Sequence, residues 1–170
     1  MFTGDASGVF LFQALYSVGL ATRSSWDLSH PLFWPRLSAD GMRLRGVYIT
    51  AVVRCAPPEN RPTPQEIENC RPFLKMELSL LKSVRVVVAL GRIAHEGYLR
   101  GRGLIPSRFP FRHAAVHRLA AAPFYLLDSY HPSRQNTQTG RLTRGMFLAV
   151  LKKAKHLAAM EGIVDRQEFP

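Results

Sequence analysis

Apolar positions recur along this chain with two periods, and each period predicts a different kind of element. From Asp5 to Leu20, the residues Val9, Phe12, Leu15, Tyr16 and Gly19 fall at helical spacing, which predicts a helix with one buried face. Val47–Val53 reads as a strand. Thr63 and Glu66 form a capping box with Pro64 in the first turn, so a second helix is predicted from there to about Leu81. Val84–Leu90 is almost continuously apolar, the pattern of a strand buried on both faces of a parallel sheet. A short helix follows Gly91, and Ala114–Leu119 and Phe124–Asp128 read as two more strands. The last helix, from about Thr143 to Met160, places Phe147, Val150, Leu151, Ala154 and Leu157 on one face. Between these elements lie an irregular stretch, Arg23–Arg45, and a proline-rich loop, Arg54–Pro62. Strands alternating with helices predict an α/β fold: a three-layer α/β/α sandwich with a mostly parallel central sheet, in one domain over residues 1–170.

One segment breaks the apolar rhythm. Tyr130-His131-Pro132-Ser133-Arg134-Gln135-Asn136-Thr137-Gln138-Thr139-Gly140-Arg141 carries no aliphatic side chain, yet it directly follows the apolar Phe124–Asp128 run. It is poor core material and rich in hydrogen-bond donors. Loops at the carboxyl ends of strands in open α/β sheets are where ligands sit, and polar loops on a rigid scaffold tend to carry function. By composition alone it could equally be a solvated surface loop.

Composition narrows the partner. Lys and Arg outnumber Asp and Glu by 23 to 12, a formal net charge of +11, and the basic residues are spread over the middle and end of the chain. Such a balance favours a polyanion, because neutralising phosphates releases condensed counterions. A basic surface that binds acidic polymers unspecifically accounts for the charge equally well. No apolar run approaches the length of a membrane span, and no secretory signal is visible at the start. A protein of the cytoplasm is therefore expected. No Walker-type glycine loop or GxGxxG opens a helix after a strand, which weakens a general nucleotide-binding reading.

Several segments, in order, resemble the type 5 branch of the uracil-DNA glycosylase superfamily. The Tyr130–Arg141 phrase resembles its histidine loop, and Phe2-Thr3-Gly4-Asp5-Ala6-Ser7-Gly8 the end of its first motif. Tyr48–Pro58 resembles the second strand and the loop to an iron–sulfur site, Arg61–Leu74 the helix bearing the next cluster cysteine, and Val86–Gly91 the following strand and turn. Two departures stand out. Family members carry a strand, a glycine-proline loop and two further cysteines ahead of the first motif, where this chain begins at Met1. The chain is thus expected to be N-terminally truncated, with the sheet's first strand missing and stability reduced. Some members also have an asparagine where this chain has Thr50-Ala51.

The resemblance implies excision of uracil, and of other deaminated bases, from DNA. A base must be flipped into a pocket, negative charge stabilised on the leaving uracil, and water guided to the sugar. His131 matches the histidine that donates to a uracil carbonyl oxygen, and Asp5 an acidic position implicated in placing the water. Without the resemblance His131 reads as a water-satisfied loop histidine, and Asp5 as a helix N-cap. Phe2 matches an aromatic that stacks on the flipped base, and the Ser7 and Gly8 N–H groups could hold a phosphate at a helix start. Ser133, Arg134, Gln135 and Arg141 would contact DNA beyond His131. His113 and His117 read as surface or DNA-facing residues rather than metal ligands.

Cys55 and Cys70 are the only cysteines. The resemblance makes them two of the four thiolate ligands of a [4Fe–4S] cluster, and two cannot hold one unaided. Inert buried thiols are the alternative, with a disulfide less favoured in the cytosol. The implied enzyme is a monofunctional, monomeric glycosylase acting on DNA, with no membrane partner; the rival is a non-catalytic DNA-binding remnant of one.

Overall fold

A computed structural model describes residues 5–22, 43–55, 62–121 and 123–164, with side chains to residue 160. The chain divides into two compact units, Met1–Ile49 with His131–Lys153, and Thr50–Tyr130 with Ala154–Pro170. The irregular Arg23–Arg45 stretch lies mostly outside the described residues.

In the first unit, helix α1 runs over Ala6–Ser17 and is started by Asp5, whose Oδ1 accepts the Gly8 N–H at 2.8 Å. Its buried face is Ser7, Gly8, Leu11, Phe12, Ala14 and Leu15, while Tyr16, expected on that face, is exposed. The helix stops at Gly19, whose φ of 76° lets the Leu20 N–H reach back to the Leu15 carbonyl at 2.8 Å. Leu20 and Arg45 then pair, and Ala21 bridges Leu44 in antiparallel fashion. Helix α5, Arg144–Val164, begins in this unit with its first turn capped by the Thr143 hydroxyl. The Phe147 ring, fully buried, lies 5.6 Å from that of Phe10, and Arg144 donates to Ser17, so α1 and the first half of α5 hold each other. The predicted apolar face of α5 is buried along its whole length.

The second unit holds the sheet. Helix α2, Pro64–Leu80, has the predicted capping box in full. Strand β1 is Val86–Leu90, helix α3 Arg92–Gly101, strand β2 Val116–Arg118 and strand β3 Tyr125–Ser129; a single 3-10 turn, Pro106–Arg108, precedes β2. The strand order is β1-β3-β2. β1 and β3 are parallel, from Val86 opposite Tyr125 to Leu90 opposite Ser129, and β2 is antiparallel to β3. Helix α3 packs on β1 and α2 packs on α3, with Ala89, Tyr98, Leu99, Leu119 and Leu126 at the centre of the core.

The chain is thus α/β, as predicted, with two corrections of detail. Val47–Val53 forms no strand among the described residues, because nothing described supplies it a ladder partner. β1 was expected to be buried on both faces, yet only Ala89 is buried. Among the described residues β1 is an edge strand, and the fully covered central strand is β3, with Leu126–Ser129 all buried.

Candidate functional site

The polar Tyr130–Arg141 segment is more ordered than its composition suggests. Ser133 caps a short helix, α4, Arg134–Gln138, by accepting from the Asn136 N–H. Thr137 and Thr139 donate their hydroxyls back to the carbonyls of Ser133 and Gln135, and Gly140, with φ 73°, ends the turn. Pro132 is fully buried, and the Asn136 side-chain amide donates to the His131 carbonyl at 2.9 Å. The Leu142 N–H then closes onto the Asn136 carbonyl, with Leu142 itself buried. The loop backbone is therefore anchored on both sides of His131 while Arg134, Gln135 and Arg141 stay exposed.

His131 is half-buried, and that burial lowers its pKa below the ordinary 6.5; the carboxylate of Asp5 works in the opposite direction. The ring is accordingly neutral at neutral pH, a form that can donate from one nitrogen to an acceptor gaining charge. The structure brings these two sequence-predicted residues into one unit, Asp5 at the start of α1 and His131 at the start of the loop.

The other predicted residues divide. The Gly8 N–H is committed to the Asp5 cap and so is not offered to a phosphate; Ser7 is buried beside it. The Ser133 hydroxyl is occupied as the α4 cap. Phe2 lies outside the described residues. Thr50 donates its hydroxyl to Glu77, which also pairs with Arg54 at 2.6 Å.

Cys55 is exposed and Cys70 half-buried, both as free thiols, and the Arg54 N–H points at the Cys70 sulfur from 3.4 Å. A [4Fe–4S] cluster takes four thiolates. With two cysteines in the whole sequence, the residues present do not fit the cluster on their own.

The grouping that sequence reasoning missed is in the second unit. His95, His117 and Asp128 offer three ligand-type atoms, all within 4.8 Å of one another. His113, by contrast, stacks on Tyr130 at 4.9 Å and accepts the Tyr130 N–H. The signal was available: an aspartate inside the apolar Tyr125–Ser129 run is a charge in a buried strand and needs partners.

The second unit thus holds a parallel strand pair flanked by helices, and the first holds a half-buried histidine that feels the charge of Asp5. The Uracil DNA glycosylase superfamily profile matches residues 1–155. The chain is 53% identical over 159 residues to a type-5 uracil-DNA glycosylase of Thermus thermophilus, covering 94% of this chain and 68% of the relative. It is 42% identical over 154 residues to one from Pyrobaculum aerophilum, covering 91% and 62%. A third, from Mycobacterium tuberculosis, is 43% identical over 164 residues, covering 95% and 57%. The chain belongs to the uracil-DNA glycosylase superfamily. It spans between 57% and 68% of the length of these three relatives.

Proposed function

We propose that the chain is a DNA-repair glycosylase that hydrolyses the N-glycosidic bond of uracil in DNA, and of other deaminated bases, and leaves an abasic site. The observation that carries this reading is the neutral, half-buried His131 on an anchored loop with the Asp5 charge nearby. In the proposed reaction a water oxygen bonds to the sugar C1′ while the bond to the base nitrogen breaks. The bonding electrons leave with uracil, and the water gives up a proton, which in this reading Asp5 receives or directs. His131 donates a hydrogen bond to the uracil carbonyl oxygen, where charge appears only as the bond breaks; removing one such donor costs about 10²–10³ in rate elsewhere. Arg134, Gln135 and Arg141, all exposed, are the proposed contacts to the DNA backbone. No step of the proposed reaction is routed through an iron–sulfur cluster.

The reading is tested by incubating the chain with a duplex bearing a single uracil and following free base and strand integrity. The expected result is free uracil and a strand that breaks only after alkali. Binding without release would favour a non-catalytic DNA-binding protein, and strand cleavage without alkali would contradict a monofunctional enzyme.

A further inference from the structure

Asp128 is the penultimate residue of the buried strand β3 and uses both carboxylate oxygens. Its Oδ1 lies 2.7 Å from His95 Nδ1, and its Oδ2 lies 3.0 Å from His117 Nε2 and 3.3 Å from the Arg112 N–H. The three side chains are 0%, 1% and 12% exposed for Asp128, His95 and His117. His95 also places Nε2 at 2.7 Å from the Phe109 carbonyl oxygen. A carbonyl only accepts, so Nε2 carries a hydrogen. The other nitrogen then faces a carboxylate oxygen between two buried side chains, and two lone pairs at that distance need a cation between them.

That cation is a proton or a metal ion, and the separations decide. Around a tetrahedral ion with bonds of about 2.0–2.1 Å, ligand atoms stand about 3.3 Å apart. The observed 2.7 and 3.0 Å are hydrogen-bond lengths. With the Arg112 N–H and the His117 ring already donating to Asp128, the shared proton belongs on His95, which donates from both nitrogens.

These bonds tie one stretch of chain to the end of β3. Phe109 is held through His95, Arg112 and His117 are held by the carboxylate, and the Ala114 N–H and Ala115 carbonyl pair with the Asp128 backbone at 2.9 and 3.0 Å. Next, the Tyr130 N–H is fixed by His113, whose ring stacks on the Tyr130 ring. The following residue in the chain is His131.

We propose that Asp128 is a positioning residue: its carboxylate, bearing the doubly donating His95 on one oxygen and His117 on the other, fixes the strand end from which the His131 loop departs. The catalytic arm of this inference rests on the proposed glycosylase reading; the structural arm does not. Asp128→Asn keeps the connectivity, because its amide can donate to a neutral His95 while its oxygen accepts from His117 and Arg112. Asp128→Ala removes it.

The test uses the full chain. In proton–nitrogen NMR, with His95→Gln for assignment, both ring N–H protons of His95 are expected in the wild type. The backbone amides of Tyr130 and His131 should shift in Asp128→Ala and stay put in Asp128→Asn. In single-turnover assays at saturating protein, Asp128→Ala should slow uracil release about tenfold or more with DNA affinity unchanged within about twofold, and Asp128→Asn should recover most of the rate. The proposal is overturned by a single N–H on His95, by one equivalent of bound zinc, by unshifted loop amides in Asp128→Ala, or by equal impairment of the two variants. If the wild type releases no uracil, the glycosylase reading fails and the NMR results alone decide this one. Should Asp128→Ala not fold, Asp128→Asn and the His95 protons still do.

Discussion

His131 carries a proton less readily than an ordinary histidine because burial penalises its charged form, and the nearby Asp5 only partly offsets that penalty. The consequence for stability has a definite sign. Below about pH 6.5 the unfolded chain binds a proton that the folded chain refuses, so stability falls on acidification through that region, and the loss is complete only below the depressed native pKa. His113, also lowered by burial, adds in the same direction. Denaturation of His131→Gln between pH 7 and 5 should therefore lose less stability than the wild type; parallel curves would show that His131 is not buried in its neutral form. Asp5 has two roles that can be separated. Asparagine caps helices as well as aspartate does, so Asp5→Asn should leave the melting temperature unchanged while slowing uracil release at least tenfold. Asp5→Ala should lose about 1 kcal/mol of stability as well. Full activity in Asp5→Asn would reduce the residue to a cap. Ala114, with φ 62°, is held in the left-handed region that costs an L-residue about 1–2 kcal/mol. Ala114→Gly should raise the unfolding free energy by about 0.5–1 kcal/mol, glycine's extra unfolded-state freedom taking back the rest. At this scale the sequence disclosed His131 and Asp5 through a resemblance, but not the His95–Asp128–His117 contacts, which join three separate elements and follow no local period.

Among the elements, those whose signals are local were legible. The α2 capping box, the α5 apolar face and the position of strand β1, parallel to β3, all appear where the residues placed them, although β1 is not buried on both faces. α4 was not foreseen, although Ser133 before it and Gly140 after it are ordinary start and stop residues. A single turn buries too little apolar surface to show a period, so only its caps speak. Val47–Val53 went wrong for the opposite reason: its β-branched content reads as a strand, but pairing depends on a neighbour that no local pattern reveals. One of its residues is nonetheless structural. A Cβ on the buried Gly97 of α3 would meet the Val52 methyls at 2.5 and 2.6 Å. Gly97→Ala should therefore destabilise by about 1–3 kcal/mol despite alanine's better helix propensity. Adding Val52→Ala should return part of that loss. If Gly97→Ala melts like the wild type, the close approach of Val52 to α3 is wrong.

For the molecule as a whole, charge and motif order said more than composition could. The +11 balance is consistent with DNA but does not choose between a specific site and a basic surface. Membership of the superfamily rests on a profile match over residues 1–155 and on relatives up to 53% identical over most of the chain. The cofactor expectation rests on the resemblance in the same way, and Cys55 and Cys70 supply two of the four thiolates that such a cluster takes. No helix among the described residues is long and apolar enough to cross a membrane. The central claim is that this chain itself excises uracil through His131. Its most direct test is single-turnover release of uracil by the wild type and by His131→Ala, each at saturating concentration on the same duplex. The account predicts release by the wild type and a rate lower by about 10²–10³ in the variant with DNA binding retained. Equal rates in the two proteins, or tight binding by the wild type with no uracil released, would contradict it.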